Sequence, residues 1–328
     1  MREKTLYVTT FLLFALLIFA SLTENKPTEN EKPVIGILQY VSHPSLDEIA
    51  DGIKEGLAES DYNEENSEIL LLNAQGEQNK IQTMGQQLIQ RSDVLIGIAT
   101  PAAQGLANQT TKIPIVMGAI SYPEKAGLVK DETQPDSNIT GVSDRSPVAA
   151  QLDLMTQLMP QLKKIGLLFS SNEDNAKAQA QEMTEIAESR GFVVSSYVVS
   201  STNDIKVVSQ KALSENDALY LPTDNTIASG FETVVANAKQ AQKPIFPSVS
   251  QQVTLGGLAT MGINQKQLGI ETGRMAAEIL QGKKVADLPV YVFDHGEKII
   301  NEKVAAELGI PLTAEIKKDA QLVGEVQP

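Results

Sequence analysis

Three short stretches hold the side chains best able to do chemistry: Ser42, His43 and Ser45 in "VSHPS", Thr100, Pro101 and Ala102 in "ATPAAQ", and Thr223, Asp224 and Asn225 in "PTDNT". Each follows an apolar run and precedes a helix-like one. The first turn of a helix carries unpaired backbone N–H groups, which a Ser, Thr or Asp side chain can cap or which an anion such as a carboxylate can occupy. Thr100, followed by a proline and two small alanines, suits either use. Asp224 is the cap of its own helix or the partner of a ligand ammonium. Ser45 suffices to start the first helix, so Ser42 and His43 are polar groups beyond what a cap requires. Ala119 and Ser121 in "GAISYPE", Ser143 and Asp144 in "GVSDRS", Asn172 in "SSNED" and Ser248 in "PSVS" stand at joints of the same kind, with Asp144 also readable as a turn residue. Tyr40, Tyr122 and Phe231 lie close to these joints in a chain poor in aromatics. A place in the core is the commoner fate of such rings, and Tyr40 is the one kept as a candidate wall residue.

The side chains that are missing narrow the chemistry further. The chain has no cysteine and only two histidines, His43 and His295, which excludes disulfides, thiolate sites, cysteine nucleophiles and a multi-histidine zinc site. No glycine-rich dinucleotide fingerprint, phosphate-binding P-loop or GxSxG elbow occurs, so no cofactor and no metal is expected. A hydrolase built from these joints would have His43 as nearly its sole general base. The site is equipped to bind rather than to react. A formal net charge of -14 excludes nucleic acid, whose phosphates demand clustered Lys and Arg.

The elements that carry these joints repeat. "KPVIGILQY" followed by "PSLDEIADGIKEGLAESDY" returns as "KKIGLLFSS" followed by "NEDNAKAQAQEMTEIAESRGF". "SDVLIGIATPAAQGLANQTTKIPIVMGAI" returns as "NDALYLPTDNTIASGFETVVANAKQAQKPIFPSV". Near-continuous apolar strands alternating with amphipathic helices predict parallel sheets covered on both faces. Two copies predict an α/β protein of two Rossmann-like lobes joined by a hinge, with ligand joints at the carboxyl ends of the strands. Lobe 1 is expected over 34–145, completed by about 256–288, and lobe 2 over 146–255, completed by part of 289–328. The hinge is expected near Ser143 to Ser146 and Ser248 to Gly257.

Ahead of the lobes, Arg2 and Lys4 precede an uncharged apolar run that ends at Thr23. Residues 1–23 therefore read as a signal or membrane anchor that places the rest of the chain outside the cytoplasm. Ile18 or Phe19 would stand where signal peptidase wants a small residue, which favours the anchor. Residues 24–33 form a polar linker.

The stretches "KPVIGILQYVSHPSLDEIADGIKEGLAES", "NITGVSDRSPVAAQLDLMTQLMPQLKKIGLLFSSNEDNA", "LYLPTDNTIAS" and "GLATMGINQKQLGIETGRMAAEIL" resemble the ABC transporter substrate-binding protein family, in its TrpX-like branch. The resemblance covers nearly all of the chain after the linker. It implies a periplasmic-binding-protein fold of type I-like plan that closes on a small amino acid, L-tryptophan or another aromatic one. It implies delivery to an ABC permease with its ATPase, and no enzymatic activity. On this reading Ser42 and His43 face the cleft, Thr100 and the amides after it take the ligand carboxylate, and Asp224 with Thr223 and Asn225 takes the α-ammonium from the opposite lobe. The absence of a lipid-accepting cysteine departs from the usual lipoprotein form and leaves anchoring to the N-terminal segment. A ligand-sensing domain that presents its bound molecule to a membrane receptor is the alternative, although the chain carries no output domain.

Overall fold

A computed structural model of the protein describes residues 32–293 and 296–325. The expected anchor at 1–23, and the linker up to residue 31, lie outside the described residues. Among the described residues no helix is long and apolar enough to cross a membrane.

Lobe 1 is built from β1 (Val34–Gln39), α1 (Pro44–Glu59), β2 (Glu68–Asn73), α2 (Gln78–Ile89), β3 (Val94–Ile98), α3 (Thr100–Ala107), β4 (Ile115–Gly118) and β5 (Ile139–Asp144). The chain then enters lobe 2 with α4 (Val148–Leu158), β6 (Lys164–Ser170), α5 (Asp174–Ser189), β7 (Val193–Val199), α6 (Ile205–Glu215) and β8 (Ala218–Leu221). The lobe continues through α7 (Asn225–Ser229), α8 (Phe231–Ala241), β9 (Ile245–Pro247), α9 (Ser250–Thr254) and β10 (Ala259–Gly262). It returns to lobe 1 for α10 (Gln265–Leu280) and β11 (Tyr291–Phe293), and ends in lobe 2 with β12 (Glu297–Asn301), α11 (Glu302–Glu307), α12 (Ala314–Lys317) and β13 (Ala320–Val323).

The repeat seen in the sequence is a repeat of topology. The first sheet runs β2-β1-β3-β4-β5-β11 and the second β7-β6-β8-β9, parallel throughout. With β6 to β9 standing for β1 to β4, the order is the same. Strand order therefore reverses beside β1 in one lobe and beside β6 in the other, and such a switch point opens a crevice at the strands' carboxyl ends. Strands such as β3, "VLIGI", are buried along their whole length, as a sheet covered on both faces requires.

The crossings between lobes fall partly where the sequence did not place them. β10 pairs antiparallel with β12, which pairs parallel with β13, and Leu258, Ala259 and Ile300 join the lobe 2 core. Ile263 and Leu268 are the first residues after β10 in the lobe 1 core, so the chain returns after Gly262 rather than near 256. The segment Ser248 to Gly257, expected as a hinge, lies inside lobe 2. Its glycines serve packing: a Cβ on Gly257 would lie 2.7 Å from the Pro247 ring, and Gly256 has φ +128°. The chain crosses between Asp144 and Val148, between Gly262 and Gln265, and between Phe293 and Glu297.

Two helices that begin at the cleft are held together at unusually short range. Gly52 and Gly56 of α1 face Gly269 and Gly273 of α10, and a Cβ on Gly56 would come within 2.0 Å of the Ile270 carbonyl oxygen. Glycine is required here because backbone meets backbone. α10 ends on Gly282 at φ +97°, with the Lys283 amide donating to the Glu278 carbonyl at 3.0 Å and the Gly282 amide to that of Ile279 at 2.9 Å. These are the paired bonds of a Schellman stop.

Candidate functional site

The carboxyl ends of the two sheets face each other and enclose a cavity. From lobe 1 it is lined by His43, Ser45, Leu46, Ile49, Ala99, Thr100, Ala119, Ser121, Asp144 and Gln265; lobe 2 adds Asn175, Thr223, Asp224, Asn225, Ala228 and Val249. The cavity has a volume of about 410 Å³. The cleft is closed, and a ligand must enter with the lobes apart.

Side chains fasten it shut. His43 Nε2 donates to Asn225 Oδ1 at 3.1 Å, and the Tyr122 hydroxyl donates to Glu182 Oε2 at 2.8 Å. Gln104 Nε2 donates to Asp174 Oδ2 at 3.3 Å, and Gln251 Nε2 donates to Glu48. The Asn225 amide nitrogen is spent on Glu173, which leaves its oxygen to accept from His43. Burial pushes the His43 pKa down, so the ring is neutral. Glu182 lies outside the residues that line the cavity, so Tyr122→Phe removes a latch without touching the ligand. Loss of one hydrogen bond of about 1 kcal/mol is expected to weaken ligand binding about fivefold, mainly through faster release in stopped-flow traces.

Local geometry explains the wall from lobe 1. Pro44 and Pro101 sit in the first turns of α1 and α3, where a missing N–H costs nothing. The caps are therefore His43 and Ala99, not Ser45 and Thr100. Ser45 is buried and lines the cavity, whereas Ser42 is exposed and donates to Asp47 at 2.8 Å. The amides of Ala102 and Ala103 donate to the Ala99 carbonyl at 3.1 Å, and Pro101 and Ala102 are buried behind Thr100. Of that turn it is Ala99 and Thr100 that line the cavity. Ala99 has φ +73° and Ala119 φ +60°, a conformation that costs a residue with a Cβ about 1–3 kcal/mol. Both strained residues line the cavity.

The opposite wall is acidic. Asp224 caps α7, accepting from the Ile227 amide at 2.9 Å, and also takes the Ser170 amide at 2.5 Å. Glu173 accepts from the amides of Asn225 and Thr226 at 3.1 and 2.9 Å, and from both of their side chains. Burial, and then the neighbouring Glu173, raises the Asp224 pKa well above the usual carboxylate range, and burial raises that of Glu173. Asp144 stands in lobe 1 at the end of β5, where burial pushes its carboxyl up to about 7 against the pull of the Ser121 hydroxyl. No Lys or Arg is among the described residues that line this cavity.

The remaining candidates scatter. Tyr40 is buried, and its hydroxyl is pushed up to about 12 by burial and then by Glu173 and Asp224. With Asn172 and Asn225 it lines a second, more open inter-lobe cavity of about 630 Å³. Ser248 lies behind the wall: its hydroxyl donates to the Tyr220 hydroxyl at 3.0 Å and accepts from Gln179 Nε2 at 2.7 Å. Gln179 in turn accepts from the Thr223 amide at 3.0 Å. Ser143 is buried and faces away from the cavity that its neighbour Asp144 lines. Phe231 sits in the lobe 2 core. Leu46, Ile49, Ala99, Asn175, Ala228, Val249 and Gln265 also line the cavity. Leu46, Asn175, Ala228 and Gln265 lie on the first turns of helices that leave the joints, Ile49 lies one turn further on, and Ala99 and Val249 directly precede a helix, so counting one helical turn to either side of each joint finds all except Ile49.

Two α/β lobes of one plan, closing on a polar cavity with latches around it, define a hinged ligand-binding protein. The chain belongs to the ABC transporter substrate binding protein family, which matches residues 34–323. Proteins of this family bind ligands rather than transform them. A "Tyrosine-binding protein" of Clostridioides difficile (strain R20291) is 36% identical over 85% of this chain and 82% of its own. A crystal structure of an ABC domain in complex with L-Trp from Streptococcus pneumonia is 46% identical, covers 89% of this chain and 100% of that one, and superposes with a TM-score of 0.87. The ligand-free, open structure of a substrate-binding protein with adhesive properties from Clostridium difficile is 34% identical over 89% and 99%, with a TM-score of 0.68.

Proposed function

We propose that this chain is the extracytoplasmic capture subunit of an importer, clamping an aromatic amino acid and handing it to an ABC permease driven by its ATPase. The observation that carries the ligand class is the inter-lobe cavity itself. Asp144 and Asp224 line it, Glu173 stands behind Asp224, and no Lys or Arg lines it among the described residues. Burying carboxylates this way is costly unless a cation compensates them. An α-ammonium is that cation, and Thr100 at the start of α3 is the place for the carboxylate. Leu46, Ile49, Ala228 and Val249 supply the apolar surface an aromatic side chain needs. The relatives that bind tyrosine and L-Trp support the same class. The higher TM-score against the L-Trp complex than against the ligand-free, open structure fits a closed clamp. Anchoring through residues 1–23 would hold the clamp beside the permease.

The composition provides a direct test, because the protein has seven tyrosines and no tryptophan. Emission excited at the red edge of the indole band comes from added L-tryptophan alone. Titration is expected to give a saturable blue shift as the indole leaves water, reversed by excess L-tyrosine. An unshifted spectrum at every concentration, with no competition by L-tyrosine, would remove the aromatic amino-acid reading.

A further inference from the structure

We infer that Asp144 and Asn175, one from each lobe, are the direct seat of the ligand's ammonium group, an assignment that rests on the amino-acid reading above. Both are buried and both line the cavity. Asp144 Oδ1 has no hydrogen-bond partner among the described residues, and neither does Asn175 Oδ1. The rest of the Asn175 amide is engaged: Nδ2 donates to the Thr223 carbonyl at 2.8 Å. That bond fixes which end of the Asn175 amide is the acceptor. Buried acceptors left unpaired are rare and costly, so an orphan on each side of one cavity points to a shared donor.

The sequence pointed to Asp224 for this contact, and the geometry points elsewhere. Each Asp224 oxygen already holds a backbone amide, and each Glu173 oxygen holds two donors. That pair contributes its field across the cleft. An ammonium has three donors and no acceptor, which matches two orphan acceptors. A ligand carboxylate placed there would meet the charge of Asp144, so the seat also sets the ligand's orientation. Because Asp144 leaves β5 in lobe 1 and Asn175 lies in the first turn of α5 in lobe 2, the same group that is recognised ties the lobes together. A ligand lacking it forfeits closure as well as a contact.

The test compares L-tryptophan with indole-3-propionic acid, the same molecule without its amino group, by titration of wild type, Asp144→Asn and Asn175→Ala. Wild type is expected to prefer L-tryptophan by more than about tenfold. Asp144→Asn is expected to lose about tenfold or more in affinity for L-tryptophan while binding indole-3-propionic acid at least as well as wild type does. Asn175→Ala is expected to lose about threefold in affinity for L-tryptophan and none for indole-3-propionic acid. A general packing defect would weaken both ligands alike, and that result in both variants overturns the assignment. So does an unchanged preference for L-tryptophan in both. Should one variant fail to fold, the other decides. Wild type that binds neither L-tryptophan nor L-tyrosine defeats the amino-acid reading itself, a result distinct from an unchanged preference in the variants.

Discussion

Affinity for L-tryptophan is expected to rise about fiftyfold between pH 5 and pH 7, and by less than about twofold more up to pH 8. The Asp144 carboxyl is held up to about 7 by burial, so in the free protein it is largely protonated at pH 5. The ammonium recognises the ionised form, and ionising a group below its pKa costs about 1.4 kcal/mol, a factor of ten, per pH unit. Other groups facing the cavity act in the same direction or stay silent. Glu173 and Asp224, both raised by burial, also ionise as pH rises. His43 is pushed down by burial, and a proton gained by its ring at acid pH would repel the ammonium, which acts in the same direction. Tyr40, at about 12, and Tyr122, raised further by burial and Glu182, remain protonated throughout. The sign for stability is the reverse. A folded-state pKa raised above the unfolded one means that the folded protein holds its proton more tightly. The ligand-free protein should therefore lose stability as pH climbs from about 4 to about 7, and saturating ligand should restore it. Titrations at pH 5, 6, 7 and 8, with thermal melts alongside, measure both trends. Equal affinity at pH 5 and pH 7 would show that no carboxyl of raised pKa meets the ligand.

Gly56→Ala is expected to destabilise the protein by a net amount of about 1–3 kcal/mol. On an exposed helix the same change would stabilise by roughly 0.5–1 kcal/mol, so the sign depends on packing. The new Cβ would lie 2.0 Å from the Ile270 carbonyl oxygen, a backbone atom that cannot rotate away. α1 and α10 must move apart instead. They carry Ser45, Leu46, Ile49 and Gln265 into the cavity, so ligand affinity should fall with stability. Lys54→Ala on the exposed side of α1 is the control, expected to stay within about 0.5 kcal/mol of wild type. Chemical denaturation of the three proteins checks the claim, and a Gly56→Ala midpoint at or above wild type would contradict it.

The amino-acid sequence by itself determined the plan of each lobe. Runs such as "VLIGI" and "KIGLLFS" are too apolar to sit anywhere but inside a covered parallel sheet, and the prolines and small polar residues after them start helices by local chemistry. Those signals lie within a few residues of the atoms they position, which is why the joints, the internal repeat and most of the cavity-lining loops could be read. The partners of β10 could not be read, since strand pairing joins Ala259 to Ile300 across a span with no local signature. The contact of α1 with α10 likewise lay hidden, although its glycines recur four residues apart on both helices. The fate of each polar side chain was settled last. Ser42 and Ser45 are the same residue type three positions apart, yet one faces solvent and the other the cleft, because the chain enters α1 between them. Asp144 and Asp224 are both acids at strand ends. Only the tertiary structure gave Asp224 two amide donors and left an Asp144 oxygen without one, because burial and hydrogen bonding depend on which distant segments close over a residue.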